Sequence, residues 1–226
     1  EGDLDFARDG VMKPGMVGYF PEGTYYGPQT SEGTATTFVL QFGGSSGQGY
    51  LSRKEVKQSM DALRSTGTFD GGVYRRNEGE PGKRNMDGFQ AIWEHANGRP
   101  LQFPKARYDK PVMMDQAGYE WVSSLDQPGV SEKMLGVFTE RRSEAGVLRL
   151  DAGTTFTGQG RGVYLAYKGK GTVDGHSLRP LTTIFLERGE RATFKAEQEV
   201  EMIHFGLPDL RGLEMQPPLS HQVAAE

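Results

Sequence analysis

The chain has 226 residues, among them 32 glycines, 12 prolines and no cysteine, and its interspersed charges sum to −4. Glycine and proline spread along the whole chain favour many short strands joined by tight turns, so we expect an all-β protein. The charge pattern argues against a nucleic-acid partner, and no apolar run approaches the roughly 20 residues that a membrane helix needs. The lack of cysteine excludes disulfides and thiolate chemistry but does not fix the compartment, for which cytoplasmic is the default expectation.

The N-terminal part of the chain predicts two strands. Val11–Phe20 is mainly apolar and is interrupted by a Pro-Gly pair. Thr36–Ser52 joins an apolar run to a glycine-rich end, which predicts a buried strand that enters a tight turn. Gln41 shares a strand face with Thr37 and Val39. If that face is buried, the amide needs partners, because an unpaired one costs on the order of 1–3 kcal/mol.

One amphipathic helix is predicted directly after this stretch. Ser52 followed by Glu55 has the spacing of a capping box. Apolar residues then recur at helical intervals, at Val56, Met60 and Leu63. Such a helix packs outside a sheet or forms a lid over a pocket mouth.

A β-hairpin is predicted around Asn97-Gly98, which is the strongest short hairpin signal in the chain. On the strand before this turn, Ala91, Trp93 and His95 share one face. If that face lines a barrel interior, Trp93 is an apolar wall and His95 a proton-transfer group that titrates near neutrality. The alternative is an imidazole that faces water.

The other histidines are scattered along the chain. We expect His221, in the polar tail, and His176, in a turn, to be exposed. His204 shares a strand face with Val200 and Met202, so it is either a core histidine or a pocket group that faces a ligand.

The chain is expected to divide near Gly129 into two domains, residues 1–128 with the helix and the hairpin, and residues 129–226. The start at Glu1, not at Met, suggests a segment upstream. Beyond Gly129 short strands follow at the regular spacing of a sandwich or barrel. These predicted strands are Leu135–Glu140, Gly146–Leu150, Gly162–Lys168, Thr172–Val173, Thr183–Leu186, Ala192–Lys195 and Val200–Gly206.

Three segments of the second half carry a family resemblance. Asp151–Thr154, Val163–Gly171 and Phe185–Glu190 follow the order of glycine-bounded strands in a small jelly roll, so this half resembles a cupin. The first half fits more loosely, with Pro21–Thr24 in the place of Asp151–Thr154. The resemblance implies two cupin-type jelly-roll barrels in tandem, a bicupin, that spans nearly the whole chain.

The metal motif of the family is missing. Metal-binding cupins carry a His-x-His pair, a Glu a few residues on, and a further His. The corresponding positions here are Gly27–Gln29 in the first half and Thr155–Gln159 and Glu197–Val200 in the second, and none of them contains histidine. We therefore expect no cofactor, although folding could still bring two histidines together at a metal.

Six residues are expected to contact a substrate. Gln29 stands where metal-binding relatives have a ligand, and Arg107 next to Tyr108 suits an anionic or enolic group, with a surface ion pair as the alternative. Gln159 and Arg161 are parallel candidates in the second half. The candidate substrate-binding residues are Tyr26, Gln29, Gln41, Trp93, Arg107 and Tyr108.

The resemblance implies a small-molecule enzyme, and we expect a metal-independent isomerase, cyclase or lyase that transfers protons on a polyfunctional organic substrate. His95 is the expected acid or base. The alternatives are a cupin dioxygenase with a reduced metal site, a non-catalytic ligand-binding bicupin, and a structural or storage-type jelly roll. A homodimer is also left open.

Overall fold

A computed structural model of the chain describes residues 2–41, 51–103 and 105–208. The described residues fall into two compact units. The larger unit contains residues 2–39 and 106–208, and the smaller unit contains residues 40–41, 51–103 and 105. This division differs from the expected boundary near Gly129, because the N-terminal residues and those after 105 belong to the same unit.

The described residues form two α-helices and seventeen strands. The helices are α1 (Arg53–Leu63) and α2 (Gly88–Asn97). The strands are β1 (Leu4–Asp5), β2 (Val11–Met12), β3 (Met16–Tyr19), β4 (Gly67–Asp70), β5 (Val73–Arg76), β6 (Asn85–Asp87), β7 (Val112–Asp115), β8 (Val122–Ser123), β9 (Val130–Val137), β10 (Glu144–Leu150), β11 (Thr155–Gln159), β12 (Gly162–Lys168), β13 (Gly171–Val173), β14 (His176–Leu178), β15 (Thr183–Leu186), β16 (Arg191–Ala196) and β17 (Val200–Gly206).

Two antiparallel sheets of the larger unit form a jelly roll. The first has the strand order β15-β12-β17-β10-β9-β8 and the second β11-β16-β13-β14. Their inner faces share one core, in which Leu150, Tyr164 and Met202 of the first sheet pack with Phe156 and Phe194 of the second. The prediction of a β-rich jelly-roll protein is confirmed.

The six-stranded sheet is buried on both faces. On β10, Leu148 and Leu150 belong to the inner core, whereas Ala145 and Val147 belong to a second core on the outer face. That second core includes Val17 and Met114, which lie on the paired strands β3 and β7. The N-terminal residues are therefore part of the same folded unit as the jelly roll.

The smaller unit contains α1, α2 and the antiparallel sheet β4-β5-β6. Helix α1 begins as predicted, since Ser52 Oγ accepts a hydrogen bond from the Glu55 N–H at 3.3 Å and Glu55 Oε2 accepts one from the Ser52 N–H at 2.7 Å. Leu63 on this helix packs in one core with Ala91 and Ile92 of α2. Among the described residues, no helix has the length and apolarity required to cross a membrane.

The predicted hairpin around Asn97-Gly98 is wrong, because this segment is the end of α2. Asp87 Oδ1 caps the start of the helix by accepting from the Gln90 N–H at 2.9 Å. Gly98 ends it in the left-handed conformation with φ 62°, and its N–H donates to the Glu94 carbonyl. An Asn-Gly pair supplies the positive φ of a helix C-cap as readily as that of a hairpin turn, so the motif alone does not distinguish them.

The predicted strand from Thr36 is also wrong over the described residues 36–41, which form no strand. Phe38 is 59% exposed and Val39 72% exposed, so the alternating pattern has no buried face. Residues 42–50 of this prediction lie outside the described residues. Apart from β8, which joins the six-stranded sheet, the described strands of residues 2–128 pair in sheets of two or three, so they do not build a second jelly roll.

Candidate active site

The structure separates the residues that the hairpin prediction had joined. Trp93 is 1% exposed in α2, while His95 on the same helix is exposed. The predicted common face of these two side chains is wrong, because positions two apart lie on nearly opposite sides of a helix. Arg99 packs over the Trp93 ring at 4.7 Å, so this tryptophan is enclosed by its own unit.

Neither glutamine candidate is enclosed in the structure. Gln29 belongs to the larger unit and Gln41 to the smaller one, and both side chains are exposed. His176, expected in a turn, begins β14 and is exposed. None of these three side chains is enclosed in the way that a pocket residue would be.

Arg107 and Tyr108 do lie together, at the wall of a surface cleft of about 570 Å³. Arg107 forms a hydrogen-bonded ion pair with Glu140, which is the alternative foreseen for it. Tyr26 is half exposed and packs edge-on against Phe20, with ring centroids 4.7 Å apart. The residues that line the cleft are Asp9, Arg107, Tyr108, Asp109, Lys110, Pro111, Val112 and Met113.

Tyr19 lies beside this group and is held in its neutral form. Burial, together with the charge of Glu22, raises the pKa of Tyr19 to about 12. Its ring stacks on Phe138 with a centroid separation of 4.3 Å and meets Tyr108 edge-on at 6.3 Å. At neutral pH this phenol is a hydrogen-bond donor and not an anion.

A different set of titratable side chains meets at one end of the jelly roll. Glu144, Gly206 and Gly162 lie side by side on β10, β17 and β12. Two residues before Gly206, His204 lies beside Tyr164 of β12. Because side chains two apart on a strand share a face, Glu144 and His204 both point to the side of the inner core.

Glycine at two of these positions makes the arrangement sterically feasible. A Cβ atom at Gly162 would lie 2.8 Å from His204 Nε2, and one at Gly206 would collide with Glu144 Cγ. The imidazole and the carboxylate therefore pack directly on bare backbone. Glycine inside a strand is a recognised sign of such close approach, and it is the signal in the sequence that points to this site.

The imidazole of His204 is held by its stacking partner. The rings of His204 and Tyr164 are 4.4 Å apart at an interplanar angle of 28°. Tyr164 is itself fixed, because its hydroxyl accepts from the Gln159 N–H at 3.2 Å and donates to the Gln159 carbonyl at 3.0 Å. Gln159 thus supports the site through its backbone. Arg161 Nη1 donates a hydrogen bond to the Pro208 carbonyl at 2.7 Å.

The electrostatics of the site favour a neutral imidazole beside a carboxylate. Burial lowers the pKa of His204, and the charge of Glu144 opposes that shift in part. Burial also raises the pKa of Tyr164, and Glu144 adds to that increase. The Glu144 side chain is 17% exposed and lies 3.4 Å from Arg142 Nη2. The charge of Glu144 thus acts on both side chains, while its ion-pair partner is Arg142.

The donor set does not fit the metal that many cupins hold. Among residues 2–41, 51–103 and 105–208, no group of three or more His, Asp or Glu side chains could bind a metal ion. The inner-face residues Phe156 and Gly158 of β11 offer no donor side chain. One imidazole and one carboxylate are fewer ligands than zinc or iron sites use. We therefore derive no chemical step through a metal.

Comparisons with known proteins find likeness only among solved structures. No family model matches the chain, and no curated protein matches it. A chain from the Rhodobacter sphaeroides complex of SigE with the anti-sigma ChrR is 15% identical, with 40% of this chain and 50% of that chain covered and a TM-score of 0.35. This chain thus spans half of the length of that relative.

Two further structures show the same degree of likeness. An acetylacetone dioxygenase from Acinetobacter johnsonii is 19% identical over 38% of this chain and 67% of that chain, with a TM-score of 0.35. An RmlC-like cupin from Shewanella frigidimarina is 17% identical over 42% of this chain and 88% of that chain, with a TM-score of 0.33. Likenesses of this size concern the fold alone and transfer no activity. The strand order of the two large sheets is that of a jelly roll, which is the architecture that the resemblance to cupins predicted.

Proposed function

We propose that this chain is a cupin-type enzyme that transfers protons on a small organic substrate without a metal. His204, and not His95, is its acid–base residue. One observation supports this choice: His204 is a partly buried imidazole on the inner side of the jelly roll, within the influence of the Glu144 carboxylate. Imidazole beside carboxylate is a common arrangement for general acid–base catalysis.

The proposed chemistry follows from the charge states of the pair. Because burial lowers the pKa of His204, its imidazole is neutral at pH 7 and has a free nitrogen that can accept a proton. A carbon next to a carbonyl group of the substrate gives up that proton, and the Glu144 carboxylate stabilises the imidazolium that forms. Return of the proton to a different carbon gives an isomerase, and loss of a leaving group from the carbanion gives a lyase.

Proton exchange in D₂O tests this function on any compound that carries an acidic C–H bond. We would incubate the full chain with a panel of β-dicarbonyl compounds and 2-keto acids and follow loss of the C–H signal by proton NMR. We expect His204→Asn to slow the exchange about 100-fold or more, as removal of an acid–base group does. His176→Asn is the matched control, since this histidine is exposed on β14.

His95→Asn in the same assay compares the two candidate histidines directly. If His204→Asn exchanges protons at the wild-type rate and His95→Asn does not exchange them, our assignment is reversed. Exchange that survives in both variants would remove His204 and His95 from the mechanism. Wild-type protein that exchanges no member of the panel would contradict the proposed activity.

A non-catalytic binding protein is the second candidate. It is favoured by the packing of the jelly-roll interior, where Phe156, Tyr164 and Phe194 form mutual ring contacts with centroids 5.4 to 6.3 Å apart. Rings that fill the interior leave the ligand to bind near its end or on the outer surface. This candidate predicts ligand binding by wild-type protein without proton exchange.

A further inference from the structure

The cleft at residues 107–113 combines opposite charges with an apolar floor. Its volume of about 570 Å³ lies within the usual range of roughly 300–1,000 Å³ for small-molecule sites. Pro111 in its lining is buried, and Val112 and Met113 are partly buried. Thr24 Oγ1 donates to the Tyr108 carbonyl at 2.8 Å and so fixes the segment that forms the wall.

Asp9 is an enclosed carboxylate with unused acceptor capacity. Its side chain is only 6% exposed. Oδ2 accepts one hydrogen bond, from the Gly27 N–H at 3.1 Å. Oδ1 forms an ion pair with Nε of the exposed Arg8 at 3.9 Å, a distance too long for a hydrogen bond. A carboxylate can accept about four hydrogen bonds, so an ammonium group in the cleft would supply donors that Asp9 lacks.

A cation is available in the same cleft. The guanidinium of Arg107 is already paired with Glu140. Lys110 also lines the cleft, is exposed, and forms no ion pair with any residue of the described ranges. A ligand carboxylate would therefore find its partner in Lys110 without breaking an existing pair.

We propose that this cleft binds a small zwitterion of amino-acid type. Its ammonium group is held by Asp9, its carboxylate by Lys110, and its apolar part packs on Val112 and Met113. The argument uses no residue of the acid–base site, so it stands whether or not His204 is catalytic. The cleft would serve as a second, separate binding site on the larger unit.

Binding measurements on the full chain test the proposal. We would screen the twenty standard L-amino acids by saturation-transfer NMR and titrate the strongest by calorimetry, together with its N-acetyl and carboxamide forms. Each derivative lacks one charge, and we expect each to bind about tenfold more weakly or worse, because a charge-assisted hydrogen bond is lost. This comparison needs no variant, so it is unaffected by folding defects.

Two substitutions connect each ligand charge to its residue. Asp9→Asn keeps an acceptor for the Gly27 N–H; it should weaken the amino acid about tenfold and leave the N-acetyl form within about twofold. Lys110→Gln should weaken binding of the amino acid about tenfold and leave binding of the carboxamide form within about twofold. Lys13→Gln is the matched control, since Lys13 is an exposed lysine of the same unit outside the cleft lining.

Three results would overturn the proposal. One is that no amino acid binds. Another is that both derivatives bind as well as the parent amino acid, because recognition would then be apolar. The third is that Asp9→Asn and Lys110→Gln bind with wild-type affinity, because the ligand would then lie elsewhere.

Discussion

Replacement of Gly158 by alanine tests whether the inner aromatic rings pack as described. A methyl group at this position would lie 2.9 Å from Phe194 Cε2 and 3.1 Å from Tyr164 Cζ. Non-bonded carbon atoms prefer separations of about 3.5–4.0 Å, so each ring would have to move by roughly 0.5–1 Å. Phe194 is fully buried, and Tyr164 is restrained by its two hydrogen bonds to Gln159. Movement of Phe194 would disturb its packing in the core, and movement of Tyr164 would strain its hydrogen bonds.

Two opposing effects set the size of the loss in stability. Overpacking of a filled core costs about 1–3 kcal/mol. Alanine in place of glycine in a strand contributes about 0.5–1 kcal/mol in the opposite direction, because glycine loses more backbone entropy on folding. Overpacking dominates, and we expect Gly158→Ala to reduce the free energy of unfolding by about 1–2 kcal/mol.

Thermal unfolding followed by circular dichroism measures this loss. For a chain of this size we expect a decrease in Tm of about 2–8 °C. Gly118→Ala is the control, since no atom lies within 4 Å of its added Cβ and its φ is not in the left-handed region. If Gly158→Ala and Gly118→Ala both unfold at the wild-type temperature, Phe194 and Tyr164 do not pack on Gly158 as the structure shows.

Three further variants address the helix cap, the buried imidazole and the outer face of the sheet. Ser52→Ala should cost about 1 kcal/mol in urea unfolding by removing the α1 cap, whereas Gln58→Ala at an exposed position of the same helix should stay within about 0.5 kcal/mol. Burial lowers the pKa of His204 below 6.5, so the unfolded chain takes up this proton first and stability falls as the pH drops through 6.5. His204→Gln should therefore lose less stability than wild type between about pH 8 and pH 5, and an equal loss would contradict the burial of this imidazole. Tyr167→Phe removes the hydrogen bond of 2.7 Å to Glu201 and should cost about 1–2 kcal/mol at pH 7. Burial would raise the pKa of Glu201, but the hydrogen bonds from Lys168 and Tyr167 together outweigh it, so the folded-state pKa lies below the ordinary 4.5. The cost should therefore shrink as the pH falls below 4.5 and this carboxyl becomes protonated, which urea unfolding at neutral and at acidic pH would show.

The sequence predicts correctly those helices and strands whose local pattern is typical of only one kind of structure. The capping box at Ser52 and Glu55 predicts α1, and the apolar runs of β12, β15 and β17 predict those strands with the observed bounds. β11 was missed because Thr155–Gln159 contains a single large apolar residue, Phe156. α2 was missed because Asn97-Gly98 has two meanings, and only packing against α1 selects one of them.

The candidate site was less accessible from the sequence. His204 was recognised as a residue that could face a pocket, but Glu144 lies sixty residues earlier in the chain, and only the strand register brings it near. The glycines at 162 and 206 mark close approach without naming the side chain that approaches. For Arg107 the sequence left two alternatives, and its ion pair with Glu140 became visible only in three dimensions.

The outer core of the six-stranded sheet has a practical consequence for dissecting the protein. A fragment that starts at the predicted boundary near Gly129 would keep the strands of the jelly roll from β9 onward but lose Val17 and Met114, which cover Ala145 and Val147. Such a fragment would expose a large hydrophobic surface and self-associate during expression. A well-behaved fragment must therefore retain both chain segments of the larger unit, residues 2–39 and 106–208.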